Sequence, residues 1–437
     1  MVTPIWLLII YAGAFVVKRK LSDQIIGKYF IPSLTVRLIG AVSVGLIYQY
    51  YYNGGDTFNF FTYGSQYIWE AWKESPLKAI KLIFAGGQHY PDTFNYSSQI
   101  WYYRDLPSYF VVRIVAVLDL LTFHTYSATA CLFATISFIG LWAMFKSFYQ
   151  LYPYLHKSLA IAILFIPSVV FWGSGIMKDT LTLTAVAFIT HVFIQIFYYQ
   201  KRDLWLILVA VLSFYVIYSI KIYILLCLIP ALAIWYFVLN INKLQSTLIK
   251  LMVAPFAIVL ALTFSYFAIN EISKDHDRYA IGKLSRTAEV TAKWITYVSQ
   301  LEGGSGYILG DFDYSTAGMI RKFPLAINVT LFRPYLWEVN NPVMLLAAVE
   351  SLVLLIFTIF VLLRVRLNFF RVVFANPLVL FSLLFAISFA FAVGFSTYNF
   401  GSLVRYKIPL IPLYLSAMTI ILYENKRRNL AALASIE

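Results

Sequence analysis

The chain alternates long apolar runs with short polar connectors, and the runs predict its architecture. A helix that crosses a bilayer needs roughly 20 apolar residues. Runs that meet or approach this length lie near 4–17, 31–50, 126–147, 157–174, 179–199, 205–220, 222–240, 250–269, 343–364, 375–395 and 408–423. They predict an all-α polytopic membrane protein of about eleven spans, a single integral membrane domain over residues 1–437 with no linker to a soluble domain. No internal repeat of 20–50 residues and no low-complexity segment interrupts the pattern.

Polar connectors orient the spans, because Lys and Arg accumulate in cytoplasmic loops. Lys18-Arg19-Lys20, Lys146 with Lys157, Lys201-Arg202, Lys243 with Lys250, the Arg364/Arg366/Arg371 group and Lys426-Arg427-Arg428 all fall on one side when the N-terminus is external. The apolar stretch from Leu106-Pro107 to Phe123, which carries Arg113 and Asp119, is then read as a helix lying on the outer membrane surface, since a crossing there would invert every later loop. Large external loops follow at about 51–125 and 270–342, with smaller outer turns at 173–179, near Lys221 and at 396–407. The first run has no basic residues before it and basic residues after it, which favours a retained span over a cleaved signal.

Composition agrees with the pattern and narrows the function classes. With 61% hydrophobic and 12% charged residues and a mean hydropathy of +0.76, the chain carries more apolar surface than a soluble fold can hide. The net charge of +14 resides in loops between spans, where it meets lipid headgroups, so it implies membrane lipids as partners and no nucleic acid. Cys131 and Cys227 both sit inside apolar runs and read as small core residues. The five histidines show no paired ligand spacing, and no nucleotide-binding or nucleophile-elbow fingerprint occurs.

Candidate chemistry therefore rests on charges that the pattern does not require. Asp56 follows Gly54-Gly55 at the end of an apolar helix, where a carboxylate is costly unless it has a task. The same loop holds Asp92, Arg104, Asp105, Asn53, Asn59 and Asn95 among many aromatic residues, a composition that suits a saccharide, although an interfacial aromatic belt accounts for most of the tyrosines. Lys178-Asp179 stands between two other apolar helices, and a helix start alone would also favour Asp179.

Five basic residues run against the orientation rule: Lys221, Arg321, Arg333, Arg405 and Lys407. Cations on the outer face call for an anionic ligand, such as a lipid-linked phosphate or diphosphate. Glu350, near the outer end of its span, is a further candidate that would pair with one of these cations or hydrogen-bond internally. Asp311-Phe312-Asp313-Tyr314-Ser315 alternates oxygen ligands but lacks the glycine and distal glutamate of a calcium loop, and reads as a polar turn.

Several of these features together resemble the GT-C superfamily of polyprenyl-phosphate-sugar-dependent membrane glycosyltransferases. Asp56 occupies the place of that superfamily's acidic residue in the first external loop. Leu106-Pro107-Ser108-Tyr109 resembles the Pro-Pro-Leu-Tyr that begins its surface helix. Pro167 to Asp179 is similar to its next pattern, a proline in a span with an acid at the start of the following one. Arg405-Tyr406-Lys407-Ile408-Pro409-Leu410-Ile411-Pro412 is similar to the Arg-Tyr-x-x-Pro-x-x-Pro that opens a late span. The chain departs from the pattern in an extra first span, in Lys178 before the second acid, and in having no large C-terminal soluble domain.

The resemblance implies inverting transfer of a sugar from a polyprenyl-phosphate carrier to a glycan, lipid or protein acceptor, on the outer face of a bacterial cytoplasmic membrane. Asp56 would serve as general base, or hold a divalent cation that orients the acceptor. Asp179 would orient Lys178 or the acceptor. Lys178, Arg405 and Lys407 with Tyr406, together with Arg333, Lys221, Arg104 and Glu350, would form the surroundings of the carrier phosphate. A polymerase or ligase acting on polyprenyl-diphosphate-linked oligosaccharides would use the same chemistry. A transporter of lipid-linked glycans would instead need polar groups deep in broken spans, for which Arg37 and Glu350 are the candidates.

Overall fold

The computed structural model of the chain describes residues 2–21, 23–243, 305–310 and 315–434, with scattered positions between 259 and 297. The described residues contain no β-strand, only helices, turns and one isolated bridge between Gly306 and Asn399. Among the described residues seven helices are long and apolar enough to cross a membrane, or eight if Phe400–Tyr406 and Ile411–Ala431, bent by 65°, count as one broken span. The chain is a multi-pass membrane protein.

Among the described residues fewer helices than the eleven expected runs are long and apolar enough to cross, for identifiable reasons. The run at 157–174 is not one helix: it divides into His156–Leu164 and Pro167–Trp172. Pro167 disfavours helical backbone at the residue before it, and Ile166 accordingly sits extended at φ −67°, ψ 126°. The run at 205–220 forms the helix Leu204–Ile220, only 17 residues long. Most of the run at 250–269, and the Asp311 to Tyr314 segment, lie outside the described residues.

The chain forms two compact units, Met1–Lys221 and Ile222–Glu437. In the first, α1 (Val2–Arg19), α2 (Gln24–Tyr50), α3 (Asp56–Phe60), α4 (Gln66–Glu74), α5 (Pro76–Phe84), α6 (Phe94–Ser97), α7 (Leu106–Thr122), α8 (Tyr126–Leu151), α9 (His156–Leu164), α10 (Pro167–Trp172), α11 (Lys178–Phe197) and α12 (Leu204–Ile220) follow in order. Asp23 caps α2, its carboxylate accepting from the Ile25 backbone N–H at 2.8 Å, and Asp203 caps α12 in the same way at 3.0 Å. The core is built on α2, α8 and α11. Gly140 of α8 lies against Thr184 of α11, where a Cβ would stand 2.8 Å from the threonine methyl, so a small residue sets how closely these helices approach. Phe30, Phe138 and Trp142 fill the α2–α8 interface with edge-on rings 4.8–5.0 Å apart.

The expected external loop at 51–125 is itself helical, holding α3 to α7. The predicted surface helix, α7, buries Tyr109, Val111, Val112, Val115, Ala116 and Asp119, while Leu106, Val117 and Leu121 are exposed. It packs against α12, where Phe110 and Tyr215 meet at 5.6 Å, and against α8.

In the second unit the helix Pro377–Ser396 is central and packs against α13 (Ile222–Asn242), Phe323–Phe332 and Ile411–Ala434. Asn341 and Asn376 each precede a proline, and each caps the helix that the proline begins, at 2.9 and 3.3 Å. Trp235 stacks on Phe381 at 4.4 Å, and the Thr330 hydroxyl donates to the Ala390 carbonyl at 2.7 Å.

Candidate functional site

Asp56 owes its position to two glycines. Tyr50 ends α2, and the chain reverses through Gly54 and Gly55 at φ +130° and +121°, backbone that residues with a Cβ rarely adopt. A Cβ on Gly55 would also stand 2.7 Å from the Tyr48 ring. Asp56 then opens α3, half-buried. Thr57, next in sequence, is buried and shares a 2.7 Å hydrogen bond with the Tyr126 hydroxyl, while Phe58 stacks on the Tyr126 ring at 4.7 Å. The segment carrying Asp56 is thereby fastened to the start of α8.

The turn 173–179, expected among the outer turns, is recessed within the protein. Residues 173–177 are all buried. A Cβ on Gly40 would lie 2.7 Å from the Val170 carbonyl, and one on Gly175 would lie 2.7 Å from Val44, so this irregular segment runs along the middle of α2 rather than beyond its end. Arg37, 1% exposed at the centre of α2, donates to the Gly173 carbonyl at 2.9 Å and to the Ser137 hydroxyl at 3.0 Å, and Ser137 donates to the same carbonyl at 2.6 Å. These donors satisfy backbone that has left the helical pattern in a dry setting, the condition under which irregular backbone is tolerated at membrane depth.

That turn delivers two candidate residues into different pairs. Asp179, 1% exposed, accepts from Lys221 at 2.5 Å. Lys178 faces Asp105 at a looser 3.8 Å, with the two side chains 26% and 53% exposed. Neighbours on a helix point about 100° apart, and the two residues accordingly enter different ion pairs. Lys221 is likewise engaged by a buried carboxylate rather than presented to a phosphate. Within this group Lys178 is the accessible ammonium.

Two further polar residues of the first unit lie in the 51–125 segment. Arg104 is exposed and makes no ion pair among the described residues. Asp92 pairs with Lys81 at 2.6 Å, and that hydrogen bond holds its carboxyl below the usual range.

In the second unit, Arg333 is gripped by Glu338 through Nε at 3.0 Å and through Nη2, and its guanidinium lies 5.1–5.8 Å from the rings of Phe400, Tyr335 and Tyr307. Glu338 also accepts from the Tyr335 backbone N–H at 2.8 Å. Burial alone would push this carboxyl up, but the two hydrogen bonds and the Arg333 charge outweigh it, and it titrates below its ordinary range. A guanidinium already paired in this way is a structural clamp more than a phosphate receptor. Lys407 is 1% exposed, donates to the Ser351 hydroxyl at 3.1 Å, and lies within electrostatic reach of Glu350. Arg405, Tyr406 and Glu350 are half-buried.

Sequence reading passed over Glu338 and named Asp105 only among the polar residues of the first loop, yet both partner named cations. It noted Asp119 only as a charge in a helix, and His124 not at all. Asp119 is fully buried and accepts from Ser65 at 2.5 Å and Thr129 at 2.7 Å, with Nδ1 of His124 at 3.0 Å. No spacing rule flags these residues, because a chain reversal between α7 and α8 brings them together. Among the described residues no three His, Cys, Asp or Glu side chains gather as a metal site. Compared with family models, curated proteins and solved structures, the chain matches none.

Proposed function

We propose that the protein is a glycosyltransferase of the outer face of a bacterial cytoplasmic membrane, moving a sugar from a polyprenyl-phosphate carrier to a glycan, lipid or protein acceptor. In this reading Asp56 serves the acceptor hydroxyl, as its base or through a cation that orients it, and the carrier phosphate leaves from the opposite face of the sugar. A leaving phosphate needs a cation more than a proton donor, and Lys178 supplies it by exchanging its loose contact with Asp105 for the phosphate. The buried Asp179–Lys221 pair holds the start of α11, and so Lys178, in place.

The observation that carries the reading is the arrangement at the recessed turn, where the buried Asp179–Lys221 ion pair, at 2.5 Å, stands beside the partly exposed Lys178, which faces Asp105 at 3.8 Å. Buried charge at membrane depth is retained for a task. The test compares polyprenyl-linked glycans and surface polysaccharide, by mass spectrometry, in cells making wild-type, Asp56→Asn or Lys178→Met protein at equal abundance. Each variant is expected to accumulate a lipid-linked sugar and lose a defined residue from the polysaccharide. Unchanged glycans in folded Asp56→Asn protein would overturn the assignment. Polymerisation or ligation of polyprenyl-diphosphate-linked oligosaccharides would show instead as glycans shortened in length.

A second reading, transport of lipid-linked glycans, is favoured by one feature, the interruption of apolar segments at 165–166 and between Tyr406 and Ile411. Substrate uptake by liposomes containing this protein alone would select it over transfer.

A further inference from the structure

The buried Asp119 carboxylate has three partners, and they differ in kind. Two are hydroxyls, Ser65 and Thr129, which donate at 2.5 and 2.7 Å. The third is Nδ1 of His124, at 3.0 Å, the one partner among them able to carry positive charge. A carboxylate accepting here places the imidazole proton on Nδ1, which leaves the lone pair of the neutral ring on Nε2. The ring is clamped in that orientation, with Phe61 stacked on one side at 4.3 Å and 7°, and Trp69 parallel to it at 6.3 Å and 14°. His124 remains 19% exposed, and its Nε2 is neither buried nor bonded to any described residue.

The backbone is also bent to make this arrangement. Phe123 and His124 lie consecutively at φ +50° and +51°, a left-handed pair with no glycine, and Phe123 is left 69% exposed. Bulky residues avoid that region, and such departures gather at functional sites. A helix terminus needing only closure would use a glycine here. The reversal instead folds His124 back over the last turn of α7 and onto Asp119, while Thr122 and Thr129 share a 2.6 Å hydrogen bond that fixes the carboxylate from the α8 side.

We propose that Asp119 and His124 form an acid–base dyad in which Nε2 of His124 takes the proton of an acceptor hydroxyl. The inference rests on the glycosyltransferase reading and assigns Asp56 the orienting role within it. Phe61, which stacks on His124, follows Asp56 by five residues, about 7–8 Å along a helix. In the step, the acceptor O–H bond breaks and its proton passes to Nε2. The oxygen's electron pair forms the bond to the anomeric carbon. The bond from that carbon to the phosphate oxygen breaks, and its electron pair leaves on the carrier phosphate. His124 is the catalytic residue and Asp119 a positioning residue that fixes the tautomer.

Two measurements test this on the full chain. In lipid nanodiscs, diethylpyrocarbonate acylates accessible, unprotonated imidazole nitrogen, and peptide mass spectrometry resolves the site. His124 is expected to react, and Asp119→Asn to slow that reaction several-fold; a His124 that stays unmodified while other histidines of the same protein react would overturn the dyad. In cells, His124→Gln, checked for abundance and monodispersity, is expected to reduce glycan transfer by about 100-fold or more, the scale of a lost general base. Wild-type transfer by His124→Gln alongside loss in Asp56→Asn would refute the dyad and leave the glycosyltransferase reading standing. Unchanged glycans in both variants would overturn the glycosyltransferase reading, and the catalytic role with it.

Discussion

Lys221→Met is the most direct perturbation of the recessed turn. Asp179 is 1% and Lys221 9% exposed, with their charged atoms 2.5 Å apart, so the pair lies at the buried end of the range. Two buried, opposite charges offset one another's desolvation, and removing one member leaves that cost in place, typically about 3–5 kcal/mol. Methionine keeps the length and apolar stem of the lysine, so little packing is lost and the effect reports the charge. Asp179→Asn should fall near the lower limit, about 3 kcal/mol, because Lys221 is the more exposed partner. The double variant should cost less than the sum of the two, with a coupling of about 2 kcal/mol. Reversible unfolding of the four proteins in mixed micelles, titrated with a denaturing detergent, provides the cycle. A cost below about 1 kcal/mol for Lys221→Met, the value of a solvated pair, would show that water reaches the turn and that its charges are not sealed in.

Two other outcomes follow from named contacts. A Cβ on Gly173 would stand 2.4 Å from the Val169 carbonyl, backbone that cannot swing away, and 2.5 Å from a buried Leu183 methyl, so Gly173→Ala should lose about 1–3 kcal/mol. Gly13→Ala, which meets nothing within 4 Å, should cause no loss of stability in the same detergent titration. Glu338 titrates below its ordinary range when folded, so its contribution is complete above the unfolded carboxylate pKa of about 4.3 and is lost as pH falls through the lower folded value. Wild-type stability should therefore decline below about pH 4.3, and Glu338→Gln should decline less over the same window; equal pH slopes would count against the Arg333–Glu338 clamp.

Apolar run length was enough to read the helical, membrane-crossing character of this chain, since it acts locally: a run of roughly 20 apolar residues must be satisfied within one helix in lipid. Proline placement was equally local but was not read, and the break at Pro167 and the capped starts at Asn341-Pro342 and Asn376-Pro377 came only from the structure. The sequence also singled out Asp56 and the Lys178-Asp179 pair as charges without a local explanation, and Gly54-Gly55 as the turn before Asp56. Tertiary structure alone decided which charge meets which. Asp179 reaches Lys221 across 42 residues, and Arg333 is taken by a glutamate that sequence reading passed over. It also decided that the 173–177 segment is buried along α2, because Gly40, Gly175 and Arg37 receive it there. His124 meets Asp119 only because the chain turns back through two left-handed residues. Pairing of side chains depends on how helices pack and where loops reverse, and a hydrophobic pattern, which records only what each residue prefers by itself, carries neither.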